Sequence, residues 1–218
     1  GHPPCQWLVC SVDTSARVKI EKWMQRVRPD DSFYAITADE IGLETSAVDH
    51  KTLGRDRLLA AWAAWDIAGG ASPVIVVDAG TATTIDVVDQ VDGVGMFLGG
   101  LILPGIEVSL KSLASATDGL PDLSAGDADA KLIENLSLGT DTQSAIIGGV
   151  YQLHRMGVQA IVRELAGRFS GAAVFATGGS VGHLMTGLAE PWNYVEQLVL
   201  QGVIALNRQQ AAADEATD

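Results

Sequence analysis

The chain has 218 residues, 47% of them hydrophobic and 19% charged, proportions that exclude a disordered polymer and suit one domain or two small ones in close contact. A formal net charge of -13 argues against a nucleic-acid partner, because an acidic surface repels phosphate backbones. No apolar run is long enough to span a membrane, no secretory leader is visible, and Cys5 and Cys10 make neither a disulfide framework nor a zinc site, so a reducing cytoplasm is the expected compartment.

Gly1-His2 reads as the remnant of an expression tag. Trp7 to Val12 is a short apolar run and predicts a buried strand, with Cys10 as a small buried residue near its end. Ser15 to Val27 places Val18, Ile20, Trp23, Met24 and Val27 at near-helical spacing, and Arg28-Pro29-Asp30-Asp31 breaks the pattern. Phe33 to Thr37 predicts a second strand. Ala38 to Thr52 is polar and reads as loop, and Leu53 to Ile67 is Ala- and Leu-rich and reads as helix. Pro73 to Asp78 is a continuous apolar strand, turned by Ala79-Gly80 into a β-branched returning strand, Thr81 to Val88. Asp92-Gly93 is a hairpin turn, and Gly95 to Leu103 a third strand ending in Pro104-Gly105.

A helix follows to about Ala116, then a polar loop from Thr117 to Ala130. The longest helical pattern runs from about Asp141 to Phe169 on Ile147, Val150, Val158, Ile161, Val162 and Leu165, with Gly148-Gly149 and Gly157 predicting a kink or a close contact. Ala172 to Ala176 is another buried strand, leading into Thr177-Gly178-Gly179-Ser180. Two helices are expected after it, the last near Val195 to Arg208, with 209–218 as a frayed tail. The order from residue 53 on, three antiparallel strands and then alternating helices and strands, is that of a ribonuclease-H-like half, an α/β fold. Residues 1–52, strand-helix-strand, are like the closing portion of a second half. The expected division is therefore 1–52, 53–208 and the tail 209–218.

Several motifs carry candidate chemistry. In Asp78-Ala79-Gly80-Thr81-Ala82-Thr83-Thr84 a strand ends in Asp, turns on Gly and leaves on Thr. Gly80 lets backbone N–H groups approach an anion, Thr81 offers a hydroxyl to phosphate oxygens, and Asp78 can hold a metal ion or a water. An ordinary Thr-rich hairpin would carry the same residues. Gly54-Arg55-Asp56-Arg57 opens a helix with a carboxylate between two guanidiniums, suited to accept a proton from a substrate hydroxyl, although helix capping alone would also explain Asp56. Gly99-Gly100-Leu101-Ile102-Leu103-Pro104-Gly105 suggests a close approach by a ligand or by another stretch of backbone. Thr177-Gly178-Gly179 can lie against a nucleobase or ribose, and Gly139-Thr140-Asp141-Thr142 opens the long helix as either a cap or a ligand contact.

In this order along the chain, these motifs resemble the type III pantothenate kinase family of the sugar-kinase and actin-like ATPase group, most strongly from Leu53 to Gly179. The resemblance implies ATP-dependent phosphorylation of pantothenate at its 4′ hydroxyl, the first step towards coenzyme A. It implies Asp56 as proton acceptor, with Gly54, Arg55, Asp56, Arg57 and Thr142 on pantothenate. It implies Gly80 and Thr81 on ATP phosphates and Thr177, Gly178 and Gly179 on the adenosine side. It implies Asp78 as ligand of a monovalent cation (potassium or ammonium), Mg-ATP as the phosphoryl donor, and a cytoplasmic homodimer with neither membrane nor nucleic acid as partner. The Gly-rich strand and the long helix are the expected parts of the dimer interface.

The family also opens with a strand and an Asp-x-Gly-Asn-Thr turn that binds ATP phosphates, and this sequence has no counterpart of it. The family often has a tyrosine upstream of Gly-x-Asp-Arg. Here that stretch is Ser46 to His50, whose one ring is the imidazole of His50, read as an exposed loop histidine. The alternative expectation is a truncated, non-catalytic member that binds a ligand or acts as a regulatory accessory protein.

Overall fold

The computed structural model describes residues 3–49, 51–128, 133, 136–188 and 191–215. Gly1 and His2, His50, Ala130 at the end of the polar loop, and 216–218 of the expected tail lie outside those residues. In chain order the elements are β1 (Gln6–Val9), α1 (Thr14–Val27), β2 (Ser32–Ala35), α2 (Arg55–Ile67), β3 (Val74–Ala79), β4 (Ala82–Val91), β5 (Val94–Pro104), α3 (Ile106–Ser115), α4 (Thr142–Arg168), β6 (Ala173–Thr177), β7 (Asn193–Tyr194) and α5 (Leu198–Glu215). Among the described residues no helix is long and apolar enough to cross a membrane. The chain forms two compact units, one of residues 1–71, 88–98 and 198–218, the other of 72–87 and 99–197.

In the first unit β1 and β2 are parallel, registered from Gln6 on Ser32 to Val9 on Ala35, with α1 as the crossover that parallel strands require. Asp13 caps α1, accepting from the N–H groups of Ser15 and Ala16 at 2.8 and 3.0 Å. The segment read as a helix breaker is also a polar anchor. Asp31 takes a two-pronged contact from Arg28 at 2.9 and 3.0 Å. It also accepts from the Trp7 indole at 2.8 Å and from the Cys5 N–H at 3.1 Å. Arg28 first and then Trp7 hold its carboxyl well below the usual carboxylate range. β1 stops at Val9, so Cys10 is only half-buried and Val12 is exposed. Among the described residues the strand expected to reach Val12 pairs with β2 alone, in a register that ends at Val9 on Ala35.

Leu58, Leu59, Ala60, Ala61, Ala63, Ala64 and Trp65 of α2 are all buried, which makes it an interior helix apolar all round rather than an amphipathic one. α5 packs on it at Gly202, where an added Cβ would sit 2.8 Å from the Leu59 carbonyl carbon. Gly202→Ala is therefore expected to lower stability by about 1–3 kcal/mol, read as a shift in urea midpoint. An unchanged midpoint would refute this packing. α5 continues to Glu215, past the Arg208 where its apolar pattern fades. The loop expected over 38–52 carries a 3₁₀ turn, Ala38–Glu40. It also carries a bridge in which the Glu44 N–H donates to Gly95 and the Phe97 N–H donates to Glu44, both at 2.9 Å. At the hairpin, Asp92 and Gly93 adopt φ of 52° and 85°, the left-handed pair a type I′ turn needs.

The five-stranded sheet has the order β5-β4-β3-β6-β7. In the second unit β3 lies parallel to β6 and β6 to β7. Val74 to Val77 are at most 1% exposed, as the continuous apolar run predicts for a parallel strand covered on both faces. Ile106, Leu110, Leu123, Ile147, Val150 and Tyr151 form a core cluster from α3, α4 and the loop between them. α4 runs through Gly148, Gly149 and Gly157 without interruption; an added Cβ at Gly149 or Gly157 would meet nothing within 4 Å, and at the buried Gly148 only the Ser137 carbonyl at 3.9 Å, so no close approach is made at these glycines. The first of the two helices expected after Ser180 is a 3₁₀ turn, Gly182–Met185, followed by the short strand β7.

Candidate functional site

Parallel strands leave a crevice at their carboxyl ends, where ligands of such sheets bind. In the second unit two of the sequence motifs end there together, because the β3–β6 register pairs Asp78 directly with Thr177. The turns that follow are locked on each other. Gly178 has a φ of 95°, and an added Cβ there would stand 2.6 Å from the Ala79 carbonyl and from Asp78 Oδ1. The Ser180 N–H donates to the Ala79 carbonyl at 2.9 Å.

The third motif closes in from the other side. The Gly105 N–H donates to the Thr81 carbonyl at 3.1 Å. An added Cβ at Gly105 would overlap the carbonyl oxygens of Gly80 and Thr81. Asp78, Gly80, Thr81, Thr177, Gly178 and Gly179 are thus brought together, with Gly105 as a member the motif alone did not single out. Thr81 and Gly179 are exposed, Asp78 is half-buried and Thr177 is buried.

In the first unit, Gly54-Arg55-Asp56-Arg57 forms the start of α2 beside the carboxyl ends of β1 and β2. Arg55 Nη1 donates to the Ile36 carbonyl at 3.2 Å. Burial pushes the Cys10 thiol up, with the charge of Asp56 adding and that of Arg55 opposing, which puts Cys10 near this segment. Gly54, not Asp56, is the N-cap residue. Asp56 instead folds back, its Oδ1 accepting from the Arg57 N–H at 2.9 Å. A Cβ at Gly54 would lie 2.5 Å from that oxygen, so glycine leaves the carboxylate its place. The Arg57 guanidinium lies 5.8 Å from the centre of the Phe97 ring, within cation–π range. Thr142 opens α4 and is exposed. Its helix start is capped by Asp141, which accepts from the Ser144 N–H at 2.8 Å.

Sequence reasoning missed a buried polar chain in the second unit. Thr83 Oγ1 lies 2.8 Å from His154 Nε2, and His154 Nδ1 lies 2.9 Å from His183 Nε2. All three residues are buried. The available signal was phase: His154 falls on the helical face of Ile147, Tyr151 and Val158, which is the buried one. Asp86, also buried, sits on β4 and was likewise passed over.

Burial lowers the His154 pKa. Burial, and then repulsion from His154, push His183 down to about 4, against an opposing hydrogen bond to the Ser180 main chain. A base whose folded value is depressed takes up its proton in the unfolded chain first. Stability is therefore complete above about pH 6.5 and is lost as pH falls towards 4. Between about pH 7 and 5 the His183 contribution is about 2 kcal/mol. Urea unfolding at those two values is expected to show the loss, and His183→Asn to remove most of it. A wild-type stability that does not change across the interval would refute the depressed value.

The family model for type III pantothenate kinase matches residues 2–164. The type III pantothenate kinase of Hahella chejuensis is 34% identical over 202 residues, covering 91% of this chain and 77% of its own length. That of Rhodopirellula baltica is 34% identical over 173 residues, 78% of this chain and 60% of its own length. That of Rubrobacter xylanophilus is 36% identical over 154 residues, 67% and 54%. The chain thus spans between 54% and 77% of these relatives. A crystal structure from Campylobacter jejuni, described as a Baf family transcriptional activator, matches with a TM-score of 0.54 at 20% identity, covering 90% of this chain and 81% of that one. At that identity the likeness is one of fold.

Proposed function

The chain belongs to the type III pantothenate kinase family, and from that premise we propose that it transfers the terminal phosphoryl group of ATP to the 4′ hydroxyl of pantothenate, the first step towards coenzyme A, in the cytoplasm. The observation that carries the proposal is the registered pairing of Asp78 with Thr177 at the carboxyl ends of β3 and β6. Glycines at 105 and 178 bring main chain against the Gly80–Thr81 turn and the Asp78–Ala79 strand end. Backbone packed this closely around an exposed Thr hydroxyl suits phosphate oxygens. The strand order β5-β4-β3-β6-β7 supports reading the sheet as a ribonuclease-H-like half, and we retain a division near residue 52 as part of the same reading.

Phosphoryl transfer demands positioning and electrostatics more than covalent participation by the protein. Asp56 orients the pantothenate hydroxyl and takes its proton late. Arg57 pairs with the pantothenate carboxylate, which a planar guanidinium suits. Thr142 and the Gly54–Arg55 segment are likewise read as pantothenate contacts. Gly80 and Thr81 hold phosphate oxygens, and the Thr177–Gly179 turn lies against adenosine.

Among the described residues no group of three or more His, Cys, Asp or Glu side chains could hold a metal ion. A magnesium ion carried in on the nucleotide would be held chiefly by the phosphates and by waters, as magnesium commonly is. Bound there, it would neutralise charge on the phosphates. Asp78 would hold the monovalent cation. We also read the chain as a homodimer: on α4, Leu153 is 77% and Met156 54% exposed, beside Gly149 and Gly157, a surface a second copy would cover.

The test is detection of phosphopantothenate by mass spectrometry after incubation with ATP, magnesium, potassium and pantothenate. Product is the expected result. Its absence under conditions where a family relative turns over would sink the kinase reading and leave a non-catalytic role.

A further inference from the structure

In the Thr83–His154–His183 row, His183 Nε2 faces His154 Nδ1 at 2.9 Å and His154 Nε2 faces the Thr83 hydroxyl at 2.8 Å. Each contact takes one hydrogen, so with neutral rings the two histidines share a tautomer: both hold the hydrogen on Nδ1 and Thr83 donates, or both hold it on Nε2 and Thr83 accepts.

With both rings neutral, every donor in this row meets one acceptor only if the two rings carry the hydrogen on the same nitrogen. The surroundings agree. The Tyr151 ring stands edge-on to His183, centroids 5.2 Å apart. Arg155 on α4 opposes a positive charge on His183. Among the described residues no carboxylate contributes to the shift of either histidine.

The row also closes a loop. Ser180 gives its N–H to Ala79, the strand end before the Gly80–Thr81 turn; His183 follows three residues after Ser180, and the row from it ends on Thr83 of β4, just after that turn. We propose that His154 and His183 are positioning residues for the two nucleotide-side turns, holding the start of β4 and the Thr177–Ser180 turn at a fixed spacing through a shared hydrogen-bond chain. The inference rests on reading those turns as the ATP site.

The first measurement is long-range ring-nitrogen NMR on the full chain, labelled at histidine, near neutral pH. Both rings are expected to be neutral and to carry the hydrogen on the same nitrogen. Opposite tautomers, or an imidazolium at either position, would overturn the chain. The second is Thr83→Val, which removes the hydroxyl at constant shape. The amide signals of Gly178, Gly179 and Ser180 are expected to shift, and the affinity for Mg-ATP to fall about tenfold, with pantothenate affinity unchanged. Thr83→Ser is expected to restore both. His154→Asn, which cuts the same row from the helix side, guards against a folding defect peculiar to Thr83→Val.

Unmoved amides, equal ATP affinities, or a parallel loss of pantothenate affinity would each overturn the positioning role. If the wild-type chain binds no ATP, the ATP-site reading fails and the role falls with it. That outcome is distinct from a wild type that binds and a variant that binds as well.

Discussion

Asp56→Asn is expected to abolish phosphopantothenate formation while leaving the chain folded. Asparagine keeps the size of the side chain and an oxygen that can accept from the Arg57 N–H, the contact Asp56 makes at 2.9 Å. What it loses is the negative charge and the ability to take a proton. Loss of a general base costs typically 10²–10⁴-fold in rate. The structural cost is small by comparison, because an acidic group in the first turn of a helix contributes about 0.3–1 kcal/mol. The check is product by mass spectrometry alongside a thermal melt. A variant that melts like the wild type and makes no product assigns the base. A variant with full activity would return Asp56 to a role at the helix start alone, a reading its folded-back carboxylate also suits.

Gly178→Ala is expected to have the largest effect on the second unit. Residue 178 combines a φ of 95° with a Cβ position 2.6 Å from the Ala79 carbonyl and Asp78 Oδ1. Backbone in that region disfavours any side chain, and the overlap is with main chain that cannot swing aside. Together these are expected to cost about 2–4 kcal/mol. The mutation is also expected to push the Thr177–Gly179 turn off the Asp78–Thr81 turn and so to weaken ATP binding.

Its neighbour provides the contrast. An added Cβ at Gly179 would meet nothing within 4 Å, so Gly179→Ala is expected to shift the urea midpoint little. Equal midpoints for the two variants would contradict the close approach on which the turn-on-turn arrangement depends.

The sequence by itself determined the elements whose cause is local. The apolar run before Asp78 reads as a strand covered on both faces because every residue in it is apolar, and β3 is that strand. Asp92-Gly93 reads as a hairpin because only certain residues accept two positive φ values in succession, and it adopts them. The start of α2 and the Gly-rich turns were legible for the same reason.

What depended on distant neighbours was not legible. β1 ends at Val9 because β2 offers no further partner. The helix expected after Ser180 gives way to a 3₁₀ turn and β7, which adds to the sheet beside β6. α4 continues through Gly148, Gly149 and Gly157, and an added Cβ at Gly149 or Gly157 would meet nothing within 4 Å.

The candidate site divides in the same way. Its residue types were readable from short motifs. The pairing of Asp78 with Thr177 and the contact of Gly105 with the Gly80–Thr81 turn join residues far apart in the chain, and strand register alone brings them together. The His154–His183 row is the extreme case. Three polar residues at 83, 154 and 183 share no pattern in the sequence, and they become one hydrogen-bonded unit only because β4, α4 and the turn after β6 bury them against one another, where each donor must find an acceptor.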